Sequence, residues 1–272
     1  MRVSQSPGLI DAARAGEPER YLAALLAPAQ AREALLAIAA FAAELRRIPA
    51  AVSDPMIGEI RLQWWRDALA TATASGHPVA DAVVAAIDRH RLPPALFLAA
   101  IEARSFDIYP DPMPDEAAFD GYLGKTEGVL FELAYRALAD VAPGPETIAA
   151  LSAAGRAYGM TRLVADLPHW LVRGRMPLPA ARIAEATASD VRPSITWLLA
   201  MCSDIQAART AALRHMVNLS RVERVAVLPL AVVGAYIRSI IATSRDPLRE
   251  PAEIAPMSRI LHIAAAHWLK RY

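Results

Sequence analysis

The chain has 272 residues, 55% of them hydrophobic and only 6% aromatic, with 29 Lys and Arg against 28 Asp and Glu for a formal net charge of +1. That balance argues against a strongly basic nucleic-acid binder and leaves no global field to attract polyanions or repel a membrane. The one cysteine, Cys202, excludes an internal disulfide and a thiolate metal site, and it fits a reducing compartment.

The start, MRVSQSPGLIDAARAGEPERY, has no sustained apolar stretch of the secretory kind. From there helical periodicity dominates, with no convincing alternation of apolar and polar residues. An alanine- and leucine-rich helix is predicted over 29–47, just after Pro28. Asp54-Pro55, an N-cap acid followed by proline, predicts a helix to about Thr71. Further helices are predicted over 78–90, 93–107, 115–139, 145–172, 190–218, 220–242 and 256–271. Proline and glycine punctuate the joints, at Gly76, Pro93-Pro94, Pro143-Gly144-Pro145 and Pro177 to Pro179. Pro229 falls inside a pattern, where it predicts a kink or break. The most apolar run, VAVLPLAVVGAYI from Val225 to Ile237, is shorter than the ~20 residues a membrane span needs and reads as a buried core helix. No linker, repeat or shift of composition divides the chain. The fold class expected is therefore all-α, one domain over 1–272, soluble and cytoplasmic, with peripheral contact to the inner membrane compatible.

Generic chemical signatures are absent: no GxxxxGK[ST], GxGxxG, HExxH, CxxC or GxSxG. Cys202 reads as a small core hydrophobe; a nucleophilic role would need a histidine, with His215 the nearest in sequence. His262 and His267 are five apart, on different faces of a helix, and make a poor metal pair.

Two segments stand out. FAAELRRIPAAVSDPMIGEIRLQWWRDAL, Phe41 to Leu69, gathers Arg46, Arg47, Arg61 and Arg66 beside Trp64-Trp65. Ile57, Ile60, Trp64 and Leu69 can share one helix face, with Arg61 and Trp65 four apart on another. The plain reading is amphipathic packing with a solvated basic edge; the sharper one is a pocket of arginines for an anion or an acidic partner helix. AGRAYGMTRLVADLPHWLVRGRMPLP, Ala154 to Pro179, carries Arg162 and Asp166 at i and i+4. Such a pair is a weak surface feature unless that face turns inward.

In order and separation these segments resemble the squalene/phytoene synthase family. The family's first motif, roughly FCRxxDDxxDE, matches Phe41 to Ala51, and its second, roughly GxxLQLTNILRDVGEDxxRGRxYLP, matches Ala157 to Pro179, including Arg173-Gly174-Arg175 and Leu178-Pro179. RYLAALLAP near the start and LPLAVVGAYIR late in the chain are also similar to family segments. The resemblance implies an isoprenoid-synthase-like helical bundle in which the 29–47 and 145–172 helices face each other across a central cavity or its filled remnant. In active members, two aspartate motifs hold magnesium and grip a prenyl diphosphate.

Carried over residue by residue, those ligands are largely missing. The three aspartates of the first motif fall on Arg46, Arg47 and Ala50, and its diphosphate-binding arginine falls on Ala43. In the second motif one aspartate is kept as Asp166 and the other falls on Trp170, while an asparagine falls on Arg162. Within the family the chain is most similar to the branch containing a mitochondrial complex I assembly factor, through Glu44, Ser53, Ile57-Gly58, Arg61, Gln63 and Trp65, and through a tail of Trp268, Lys270 or Arg271, and Tyr272.

The resemblance thus implies a non-catalytic factor assisting respiratory complex I assembly. Its partners would be complex I subunits or assembly intermediates; no metal and no nucleic acid would be required. The alternatives are an active head-to-head prenyltransferase, which would use magnesium, or an isoprenoid- or lipid-binding protein. A vestigial cavity would be lined by Arg46, Arg47, Arg61, Trp65, Arg162, Asp166 and Arg175.

Overall fold

A computed structural model describes residues 7–52, 54–71, 74–187, 195–242 and 249–270. Among them there is no β-strand; an isolated bridge pairs Met113 with Pro179. The helices are α1 (Pro7–Gly16), α2 (Pro18–Leu25), α3 (Ala29–Arg47), α4 (Pro55–Ala70), α5 (Pro78–His90), α6 (Pro94–Arg104), α7 (Glu116–Leu123), α8 (Val129–Leu138), α9 (Pro145–Ala165), α10 (Leu167–Val172), α11 (Ala180–Thr187), α12 (Ile195–His215), α13 (Val233–Ile240) and α14 (Pro256–Leu269). The all-α expectation therefore holds.

Several joints follow the sequence rules closely. Asp54 caps α4, its carboxylate accepting the Met56 amide at 2.9 Å, with Pro55 opening the helix. The pattern over 145–172 is two helices, not one. The break comes at Asp166, because Pro168 has no N–H to give and its ring crowds the preceding turn. The pattern over 115–139 is interrupted by a π-turn at Gly124–Gly128, and that over 93–107 tightens into a 3₁₀ turn at Ser105–Ile108. Pro229 sits in a 3₁₀ segment, Glu223–Val232, that leads into α13. Helices α1, α2 and α11 lie outside the predicted elements.

Helix α3 lies at the centre. Nearly every residue from Ala34 to Leu45 is buried, and a helix apolar all round must be covered on all sides. Its neighbours are α1, α2, α5 and α8. Small side chains permit the close approach: a methyl group on Gly16, at the end of α1, would stand 2.4 Å from the Ala43 Cβ. Phe41 is fully buried, with Trp65 and Phe97 edge-on to it at ring distances of 5.3 Å each; such pairs contribute about 0.5–1.5 kcal/mol beyond area burial.

The tryptophan pair on α4 divides. Trp65 is 4% exposed and Trp64 41%. The buried face of α4 is Gly58, Leu62, Trp65 and Ala68, so the Ile57, Ile60 and Trp64 line faces water. Burial is decided here by Gly58, which lets the Ile108 side chain within 3 Å of where its Cβ would be.

Candidate functional site

The two segments singled out in the sequence meet around the turn between α1 and α2. Arg46, in the last turn of α3, donates to the Gly16 carbonyl at 2.7 Å and lies 3.7 Å from the Glu17 carboxylate. Arg162, from α9, donates to the same carboxylate at 2.5 Å and to the Gly16 carbonyl at 3.4 Å. The opposing helices are thus joined through a buried acid 145 residues from Arg162 in sequence. The face carrying Arg162 is turned inward, and no side-chain bond joins it to Asp166.

Behind this pair lies a buried ionic core that local sequence reasoning missed. Glu17 also accepts from Arg20 at 3.2 Å. Arg20 reaches Glu127, in the π-turn, at 2.6 Å, and its guanidinium lies 4.5 Å above the Phe131 ring. Glu127 accepts from Arg104 at 3.4 Å, and Arg104 donates to Asp107 at 2.9 Å and to the Tyr122 hydroxyl at 3.1 Å. On the other side Glu19 accepts from Tyr158 at 3.0 Å, Tyr236 at 3.2 Å and Arg259 of α14 at 2.7 Å. Burial, with Glu19 and Glu17 next to it, holds the Tyr158 hydroxyl well above its usual range, so it serves as a neutral donor. Buried charges persist only when paired in this way.

A crevice of about 30 Å³ lies between the motif segments, bordered by Arg46, Tyr122, Glu127, Arg162, Asp166 and Trp170. On the other side of Arg46 and Arg162 opens a polar cavity of about 390 Å³, whose walls include Glu19, Asp166, His169, Tyr236 and Arg259.

Of the seven residues expected to line a vestigial cavity, Arg46, Arg162 and Asp166 converge here. Arg47 is exposed and bonded to Glu44 at 3.3 Å. Together with Arg61, Trp64, Trp65 and His77 it borders a separate outer pocket of about 250 Å³. Arg175 donates to the backbone carbonyls of Asp107 and Ile108, the latter at 2.6 Å, and so braces the 3₁₀ turn. Arg47 and Arg61 are exposed and Arg175 is held on the 3₁₀ turn, so none of the three borders the Arg46–Arg162 space. Ser53, Arg271, Tyr272 and the His215 side chain lie outside the described residues. Cys202 is buried, and burial pushes its thiol up to about 11, which leaves no thiolate for nucleophilic chemistry.

Magnesium fits these residues poorly. It requires near-octahedral oxygen donors, usually carboxylates with substrate phosphates. Glu17, Glu19, Asp107 and Glu127 are each engaged by guanidinium groups. Asp166 is half-buried, and burial raises its carboxyl against the pull of Arg162 and His169. Among the described residues no three His, Cys, Asp or Glu side chains converge on a metal position.

The profile of squalene/phytoene synthases matches residues 13–259. The chain belongs to the squalene/phytoene synthase family. Its fold is similar to that of the squalene synthase HpnC from Alicyclobacillus acidocaldarius, with a TM-score of 0.71 at 18% identity over 85% of this chain and 91% of that one. It is also similar to a dehydrosqualene synthase crystallised with ligand, with a TM-score of 0.74 at 13% identity over 98% of both chains. At those identities the likeness speaks for the fold alone.

In sequence, the chain is 29% identical over 167 residues to the Bos taurus protein named NADH dehydrogenase (ubiquinone) complex I, assembly factor 6, and 26% identical over the same length to that of Homo sapiens. Each match takes in 59% of this chain and 49% of the relative, so the chain spans about half the length of the curated relatives it matches.

Proposed function

We propose that this protein assists assembly of respiratory complex I, or of a similar membrane-bound NADH:quinone oxidoreductase, without transferring prenyl groups. The observation that carries the reading is the Arg46–Glu17–Arg162 bridge. One guanidinium, Arg46, stands at a motif position from which a carboxylate holds magnesium in active members of the family, another, Arg162, stands where they carry an asparagine, and both are tied to an internal acid. A unit-charge repulsion at about 4 Å is roughly 4 kcal/mol at an effective dielectric of 20, and a divalent ion doubles it. The names carried by the relatives point the same way. Partners would be complex I subunits or assembly intermediates, met at the inner membrane from the cytoplasmic side.

Deleting the gene in its native host should lower membrane-bound NADH:quinone oxidoreductase activity while squalene and carotenoids persist, and an Asp166→Ala copy should restore that activity. Magnesium-dependent release of pyrophosphate from farnesyl diphosphate, abolished by Asp166→Ala, would overturn the reading in favour of prenyl transfer. The cavity of about 390 Å³, whose wall carries Arg46, Arg162, Arg259 and His169 beside Glu19, Asp166 and Glu253, supports a second reading in which the protein also holds an isoprenoid or lipid with a polar head.

A further inference from the structure

Helix α14 is amphipathic the wrong way round for a helix facing water. It rests on α2 and on the 3₁₀ segment Glu223–Val232. Ile263 and Ala266 are buried, and Arg259 turns inward to Glu19. At about 100° per residue, Met257, Ile260, Leu261, Ala264, Ala265 and Trp268 fall on the opposite arc. None of them is charged, and Met257 is 64% exposed, Leu261 60% and Trp268 59%. An ordinary surface helix sets its charged residues on this arc.

The charges of the region stand along its borders. On one flank His262 lies 3.3 Å from the exposed guanidinium of Arg238. On the other, Arg221 and Arg224 lie close enough to His267 to lower its pKa, after burial, and Lys270 stands just beyond the helix. An apolar stripe about 16 Å long is therefore edged by cations on both sides. A second copy of the chain would bring these cationic edges against one another at the rim. A lipid surface carrying negative headgroups complements both the stripe and its borders. No described helix is long and apolar enough to cross a membrane, so contact of this kind is in the interfacial plane.

We propose that the outward face of α14 docks on an anionic lipid surface, with Met257, Leu261 and Trp268 at the level of the headgroups and the bordering arginines on lipid phosphates. Trp268, near the end of the stripe, is the residue type that anchors such an interface. Lipid contact of this kind is independent of a role in assembly and is measured without any complex I component, so either can fail alone.

The test is flotation of the purified protein with vesicles of phosphatidylcholine alone and of phosphatidylcholine with phosphatidylglycerol. The wild-type protein should float with the anionic vesicles and be released by added salt. Leu261→Glu and, separately, Trp268→Ser should each weaken that binding by about tenfold or more, with far-UV circular dichroism and Tm unchanged, since both side chains are exposed. Arg221→Glu with Arg224→Glu should remove the preference for anionic lipid. Wild-type protein left behind by both kinds of vesicle overturns the proposal, as does equal flotation of Leu261→Glu. A wild-type dimer that Leu261→Glu converts to monomer also overturns it, assigning the face to a second copy.

Discussion

At the scale of single residues, two neighbours on one helix carry opposite loads. Trp65 fills the space between Phe41 and α4, whereas Trp64 lies against its neighbour and His77 at the rim of the outer pocket. Trp65→Ala should cost about 3–5 kcal/mol in chemical denaturation, and Trp64→Ala under about 1 kcal/mol. Asp166 makes a different point. Burial raises its carboxyl in the folded state above the unfolded value of about 3.9. A carboxyl shifted in that direction favours the fold only when protonated, and the advantage is lost as pH rises through the folded pKa. Asp166→Asn should therefore raise Tm at pH 7, with the gain closing as the pH falls to about 4. A retained metal ligand would give the reverse, a loss at pH 7 that magnesium accentuates.

At the scale of elements, close backbone approach sets where helices cross. A methyl group on Gly155 of α9 would stand 2.4 Å from the backbone of Gly128, at the end of the π-turn, with no flexible side chain to yield. Gly155→Ala should destabilise by about 1–3 kcal/mol or more, because the helix and the turn must separate. Gly121, in α7, has open space around its Cα. There the same substitution should raise stability by up to about 1 kcal/mol through helix propensity. Thermal melts of the two variants should move in opposite directions. The π-turn carries Glu127, which is buried between Arg20 and Arg104.

At the scale of the molecule, the ionic core joins α2, α3, α6, α9 and α14 through side chains far apart in sequence. Glu127→Ala should cost about 3–5 kcal/mol, because it leaves buried Arg20 with only Glu17, an acid shared with Arg46 and Arg162, and buried Arg104 with only Asp107. In a double-mutant cycle with Arg20→Ala the two losses should fall well short of additive, since the second substitution relieves a charge the first exposed. Cation binding is a whole-molecule property as well. A magnesium site with a dissociation constant near 1 mM would raise Tm by roughly 3–5 °C at about 10 mM Mg²⁺. The expected shift is under about 1 °C by scanning calorimetry.

Read alone, the sequence determined the helical class, the cap at Asp54, the family, and the loss of aspartates at Arg46, Arg47 and Ala50. All of these are carried by local periodicity, by turn residues, or by motifs a few residues long. It also placed Arg46, Arg162 and Asp166 in one candidate site, because each falls on a motif position. The tertiary structure alone decided that Glu17 is the acid joining the two arginines, and that Glu19, Arg20, Arg104, Asp107, Glu127 and Tyr158 stand behind it. The run Glu17-Pro18-Glu19-Arg20 offered a faint signal, two acids and an arginine opening a helix, but nothing local shows that they point inward. Their partners lie up to 240 residues away, and a spacing rule of three or four residues has no reach over that distance. Which faces of α4 and α14 meet water was likewise settled by packing. Gly58 draws one side of α4 onto Ile108, Arg259 draws one side of α14 onto Glu19, and the apolar residues on the remaining faces are left outside.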